Sequence, residues 1–272
     1  MKIAYCDCFS GISGDMFLGA LLDVGMPMDT LQNGLSQLGL GDEFELNAAE
    51  THKGALRATR LKVNLKQQEN HPNHHNKEHH HYHRNLADIT GLISQSGLSS
   101  LVKHTSLAIF NRLAKAEAHI HGQSVEEVHF HEVGAVDSIV DIVGAAIGLE
   151  WLGIEQLYAS SLPLGNGQTE SAHGTLPLPA PATLQILADA HAPTHFLPTQ
   201  VELVTPTGAA ILAALAKFEQ PAMVLVKIGS GSGERDLPWP NIFRFWVGEI
   251  PNPKRSAYPC QFLFTRNIFL PA

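Results

Sequence analysis

Cysteine is scarce: the chain has three, Cys6, Cys8 and Cys260. Cys6 and Cys8 stand too close for an ordinary disulfide, which argues against a disulfide framework and for a reducing compartment. No apolar run approaches the roughly 18 residues that a membrane helix needs. Met1-Lys2-Ile3 leads straight into a strand pattern without a signal peptide, so a cytoplasmic location is expected. Basic residues are few, with Lys+Arg 18 against Asp+Glu 26 and a net charge of −8. That balance argues against an extended nucleic-acid or anionic-membrane surface, while leaving room for a local basic pocket for a small anion. The Gly-Lys-Ser/Thr of a Walker loop and the GxGxxG of a dinucleotide fold are both missing. What remains is 272 residues, 44% hydrophobic and 16% charged, enough to bury a sizeable core as one large or two smaller domains.

The richest stretch is Val128 to Ala146, VHFHEVGAVDSIVDIVGAA. His129 and His131 at spacing i, i+2 share a face on an extended segment, with Val128 and Phe130 facing the other way. A short strand with an apolar inner side is therefore expected. Gly134 ends that pattern and the period changes from 2 to 3.6. From Asp137 a helix is expected with Ile139, Val140, Val143, Ile147 and Trp151 as its apolar stripe. Asp137 and Asp141 stand i, i+4 on the opposite side, followed by Gly144 and Gly148. Imidazoles entering and carboxylates leaving one turn, with Glu132 between, suit a divalent metal of intermediate softness or acid/base work. The alternative is structural, with Asp137 an N-cap, Asp141 solvated and the histidines filling a turn.

Along the chain, Ile3 to Cys8 reads as a buried strand. It runs into the loop Phe9-Ser10-Gly11-Ile12-Ser13-Gly14-Asp15 and a helix with Met16, Phe17, Ala20, Leu21 and Val24 as its stripe. This is the layout in which backbone N–H groups and a helix N-terminus hold an anion, although Asp15 would repel a phosphate unless a metal mediates. A tight turn capped by Ser13 or Asp15 is the simpler alternative. A second helix spans about Met28 to Leu38, and Phe44 to Glu50 with Ala55 to Leu65 forms a hairpin around Lys53-Gly54. Gln67 to Arg84 then holds His71, His74, His75, His79, His80, His81 and His83, seven of the 16 histidines. Nothing in it can pack a core, so a mobile surface loop able to capture Ni²⁺, Cu²⁺ or Zn²⁺ is expected. Helices follow over Leu86 to Gln95 and Leu101 to His121, the latter ending on His119 and His121, where cations suit the helix dipole. Ser161 to Pro181 is a Gly/Pro-rich loop or edge hairpin with His173 its single ionisable ring, and Pro181 to Asp189 is a helix opened by proline. Leu203 to Ala210 is another strand-to-helix joint, where Thr205 or Thr207 caps a helix to Leu215 or, with Gly208, cradles an anion. Val224 to Ile228 is a strand leading into Gly229-Ser230-Gly231-Ser232-Gly233-Glu234-Arg235-Asp236. That loop is either a connector or a phosphate-embracing loop with Arg235 as partner. Ile242 to Ile250 is a closing strand, and the Pro-rich tail beyond Pro251 shows no regular element. The whole reads as α/β, helices packed on a mixed sheet. Its units are 1–66, the histidine-rich 67–84, 85–250 and the tail 251–272, and the strand order is not readable.

Five segments together resemble the LarC family of nickel-insertion proteins: DCFSGISGDMFLGALLD from Asp7, HFHEVGAVDSIVDIVGAA from His129, LPLGNGQTESAHGTLPLPAP from Leu162, ELVTPTGAAILAAL from Glu202 and GSGSGERD from Gly229. They stand in family order over nearly all of the chain up to about Ile250. The resemblance implies insertion of Ni²⁺ into pyridinium-3,5-bisthiocarboxylic acid mononucleotide, forming one Ni–C and two Ni–S bonds in the nickel-pincer cofactor of lactate racemase. It implies use of CTP with Mg²⁺ or Mn²⁺ as well, bound mainly by a C-terminal part that family members carry and this chain lacks. With that family in view, residue type and position make His129 and His131 the expected nickel ligands. Glu132, Asp137 or Asp141 is then a further ligand or base, and His71 to His83 raise the local nickel concentration. Ser10, Gly11, Ser13, Gly14 and Asp15 with Thr205, Thr207 and Gly208 are the expected anchors for substrate, with His173 and Arg235 as further candidates. Two other classes stay open, a non-catalytic nickel storage or delivery module and a phosphotransferase-like enzyme built on the Gly-rich loops.

Overall fold

The computed structural model describes residues 1–66, 84–128, 130, 136–171 and 174–251. The expected nickel ligands His129 and His131, with Glu132, His173, the histidines from His71 to His83 and the tail from Asn252, lie outside the described residues. In chain order the elements are β1 (Lys2–Asp7), α1 (Gly14–Val24), α2 (Met28–Ser36), β2 (Phe44–Lys53), β3 (Leu56–Leu65), α3 (Leu86–Gln95) and α4 (Ser100–His121). There follow α5 (Val136–Leu152), β4 (Gln156–Ala159), β5 (Leu162–Leu164), β6 (Gly167–Ser171), β7 (Gly174–Leu178) and α6 (Pro181–Asp189). The chain continues with β8 (Thr194–Phe196), α7 (Pro206–Leu215), β9 (Ala216–Lys217), β10 (Val224–Ser232) and β11 (Ile242–Glu249).

The main sheet has seven strands in the order β2-β3-β10-β11-β1-β4-β9. It is mixed: β1 runs parallel to β4 and antiparallel to β11, and β10 meets β3 in parallel where Gly231 faces Thr59. Alternation along the strands divides its faces. Ala4, Cys6, Phe243, Phe245 and Val247 join the main core under the helices, while Ile3, Tyr5 and Tyr158 form a separate cluster with Met223 and Trp246. Strands β5 and β8 form a small parallel sheet, and β6 and β7 an antiparallel hairpin.

Helix α1 lies directly on the sheet. Phe17 sets its ring against Phe243 at 5.7 Å and Phe245 at 5.4 Å between centroids. The glycines beneath it allow this closeness, since a Cβ on Gly231 would lie 1.8 Å from the Met16 carbonyl oxygen and one on Gly229 2.2 Å from that of Ala20. Gly229 to Ser232 is therefore the end of β10, not the flexible or phosphate-embracing loop that its composition suggests. Helix α5 packs on α1 in turn. A Cβ on Gly144 would meet Leu31 at 2.9 Å and Leu18 at 3.0 Å, and one on Gly148 would meet Leu21 at 2.4 Å. The glycine side of α5 thus faces protein and the helix is buried on nearly all sides, as expected of an inner helix. Trp151 departs from its expected place: in the last turn it is 42% exposed. Helix α4 covers α5 and contacts α3, α6 and α7.

The two flanks of the histidine-rich segment return to one residue. Lys66 N donates to the Glu43 carbonyl oxygen at 2.9 Å, and the Arg84 guanidinium reaches both Glu43 carboxylate oxygens at 2.7 and 2.9 Å. The described residues on either side of the segment therefore meet at Glu43.

Candidate functional site

Two of the loops picked out in the sequence meet. Ile12, in the β1–α1 loop, forms a parallel bridge with Val204, donating its N–H to Leu203 O at 2.9 Å and accepting from Thr205 N at 3.1 Å. This single bridge stands where a strand was expected at Leu203-Val204. Gly11, at φ +99°, leaves no room for a Cβ, which would fall 1.8 Å from Leu203 O, and one on Gly208 would fall 2.6 Å from Ile12 O. These glycines let two backbones touch, so their closeness serves the protein itself. Thr205 caps α7, its Oγ1 accepting from Gly208 N at 3.2 Å, and Thr207 is buried in the first turn.

The third helix arrives through a carboxylate. Asp141, in the second turn of α5, packs on Gly14, where a Cβ would lie 2.2 Å from its Oδ2. The amino ends of α1, α5 and α7 therefore converge on the Ile12–Asp15 loop, and positive helix ends gather there. Asp15 occupies part of that field. Its carboxylate accepts from the Ser13 hydroxyl, so Ser13 stands at the N-cap without capping the backbone. Burial raises the Asp15 pKa, opposed by the Ser13 hydroxyl, the Met16 N–H and the charge of Arg60 on β3. Asp137 lies inside the first turn of α5 and not at its N-cap; it is exposed and accepts from Ser138 N at 2.8 Å.

Asp141 is poorly satisfied. Its Oδ1 is out of solvent without a hydrogen-bond partner among the described residues. Burial holds its carboxyl well above the ordinary range, and Asp15 and then Asp137 add to this. It is thus not the solvated carboxylate that its place on the helix also allowed, but an acid able to hold or take a proton. A raised folded-state value favours folding fully below about pH 3.9, the unfolded value, and that contribution is lost as pH rises through the folded value. Asparagine stays neutral, so Asp141→Asn is expected to exceed wild type in denaturant midpoint at neutral and alkaline pH. The gain comes from removing the group that must ionise, so it should shrink as pH falls and vanish towards pH 4. A variant less stable than wild type at pH 8 would contradict this environment.

Ser10 is held rather than offered. Buried to 1% exposure, its hydroxyl accepts from Trp239 Nε1 at 3.0 Å and donates to Asn241 Oδ1 at 3.3 Å. Asn241 in turn donates from Nδ2 to Arg235 O at 2.9 Å. This ties the β10–β11 connection to the site loop, while the Arg235 side chain is exposed. Trp239, Asn241 and Arg60 escaped sequence reading. The stretch LPWPN, Leu237 to Asn241, lies between a Gly-rich segment and a strand, and its lone Trp and Asn were the signal available. Among the described residues no group of three or more His, Cys, Asp and Glu is arranged to hold a metal ion.

Comparison with known proteins gives a consistent result. The family model described as nickel insertion protein matches residues 4–261. A Picosynechococcus protein is 46% identical over 96% of this chain and 70% of its own length, and one from Roseiflexus castenholzii 51% identical over 94% and 61%. Both carry the provisional name nickel insertion protein. A Desulfitobacterium hafniense protein, named pyridinium-3,5-bisthiocarboxylic acid mononucleotide nickel insertion protein, is 47% identical over 94% of the chain and 60% of its own length. The chain thus spans 60 to 70% of the length of these curated relatives. No solved structure matches. With a family model covering nearly the whole chain and close relatives along it, the chain belongs to the nickel insertion protein family.

Proposed function

We propose that this chain is the metal-handling part of a cytoplasmic enzyme that inserts Ni(II) into pyridinium-3,5-bisthiocarboxylic acid mononucleotide. The carrying observation is the meeting of three helix amino ends around Asp15 and Asp141, on the helix that follows the His129–His131 segment in sequence. Val128 and Phe130 support the reading, since both are buried and Phe130 faces Phe110 at 6.4 Å between ring centroids. In this proposal His129 and His131 hold nickel, because imidazole binds it firmly yet yields to thiocarboxylate sulfur. Glu132, Asp137 or Asp141 completes the ligand set or accepts the ring proton that leaves as the Ni–C bond forms. The ends of α1 and α7 favour the mononucleotide phosphate, and His173 and Arg235 remain candidates for its other groups. His71 to His83 gather nickel. CTP, with Mg²⁺ or Mn²⁺, acts mainly on the further part that the longer relatives carry, and lactate racemase receives the product.

The test is nickel titration and turnover with a chain lacking Gln67 to His83, so that loose histidines do not mask a stoichiometric site. It is run alone and then with the further part of a longer relative and CTP. One nickel bound alone, with cofactor formed only in the mixture, is the expected outcome. Nickel bound without turnover in either arm would make the chain a storage or delivery module. No tight nickel binding would sink the proposal.

A further inference from the structure

One residue of the site loop is placed where packing does not explain it. Gly11 N donates to Cys8 O at 2.9 Å, closing a four-residue turn with Phe9 and Ser10 at its corners. Cys8 is 0% and Ser10 1% exposed, yet Phe9 between them is 50% exposed. It makes no ring contact with another described residue. A solvent-facing turn corner ordinarily takes a polar residue or proline, and here it presents an apolar ring. The loop runs on from Phe9 to Ser13 and Asp15, at the meeting point of the three helices.

We propose that Phe9 is the platform on which the pyridinium ring of the substrate stacks. The inference rests on the substrate class proposed above and adds the residue that recognises the ring. A phenyl face carries negative potential, and the pyridinium ring is planar and electron-poor with a positive nitrogen, so a stacked pair is attractive both as aromatic contact and as cation–π contact. The phosphate, at the other end of the mononucleotide, is left to the helix amino ends.

The experiment uses the full chain and nicotinic acid mononucleotide, a pyridinium ribonucleotide, with ribose 5-phosphate as the ring-free control. Wild type is expected to bind the pyridinium nucleotide more tightly than the control. Phe9→Leu keeps apolar bulk but removes the π face. It should bind the nucleotide roughly five- to tenfold more weakly, leave ribose 5-phosphate affinity unchanged and keep the wild-type unfolding midpoint. Phe9→Tyr should retain binding. Phe9→Trp should show indole quenching by the nucleotide beyond the baseline of the native Trp151, Trp239 and Trp246. If wild type prefers the pyridinium nucleotide and Phe9→Leu keeps that preference, the assignment of Phe9 falls while the substrate reading stands. If wild type shows no preference for the ring, both fall. Self-association lost in Phe9→Leu, without any change in nucleotide affinity, would make Phe9 a protein contact and overturn the proposal.

Discussion

Gly231→Ala is expected to leave the protein unfolded or insoluble. The added methyl would start 1.8 Å from Met16 O and 2.8 Å from Ala20 N, both backbone atoms that cannot turn aside. Relief would need α1 to lift off the sheet by more than an ångström. That would part Phe17, Leu18 and Leu21, each 0% exposed, from their neighbours. Core disruption of this kind costs more than about 4 kcal/mol, against a total stability of about 5–15 kcal/mol for a typical domain. Gly41→Ala is the control, since a Cβ there meets nothing within 4 Å, and its denaturant midpoint should stay near wild type. The comparison also decides what the glycines of GSGSGERD are for. A phosphate-embracing loop would tolerate Gly231→Ala in folding and lose anion binding instead. Equal midpoints for the two variants would mean that α1 does not sit on β10.

The second large effect is functional. His129→Ala with His131→Ala is expected to abolish cofactor formation by the complete system while the far-UV circular dichroism and unfolding midpoint stay near wild type. The fold should survive because the alternate residues, Val128 at 0% and Phe130 at 1% exposure, carry the packing of this segment. Single replacements should lower nickel affinity less than the pair does, since one imidazole and the candidate carboxylates would remain. Cofactor formation at the normal rate by the double variant would remove these histidines from the site.

Much of the secondary structure was legible because its determinants are local. The helix expected over Leu86 to Gln95 is α3, opened by a capping box between Asn85 and Asp88, and the one expected over Pro181 to Asp189 is α6, opened by its proline. The hairpin around Lys53-Gly54 is β2 and β3, and Gly54 takes the positive φ, +61°, that the turn requires. The errors fall where a local pattern meets a distant neighbour. Gly229 to Ser232 has loop composition yet forms strand, because α1, more than 200 residues earlier in the chain, needs bare backbone beneath it. Trp151 continues the stripe of α5 in period but stands exposed in its last turn. Val128 and Phe130 keep the expected burial of alternate residues, but neither is in a strand.

The candidate site divides in the same way. From sequence alone came the α/β class, the position of each helix start near Gly14, Val136 and Pro206, a threonine cap at Thr205 or Thr207 and the residue types from which a nickel site would be built. Periodicity, caps and turn chemistry act within a few residues, so a single chain displays them. Only the tertiary structure decided that β1 lies beside β11 and β4 and that three helix amino ends share one corner. It also decided that Asp141 presses on Gly14 with an unpartnered oxygen, and that Ser10 is turned inward to Trp239 and Asn241 while Phe9 is turned out. Each of these depends on residues distant in sequence. Burial, desolvation and the sharing of charge between carboxylates are set by what packs around a group, and no spacing along the chain records that.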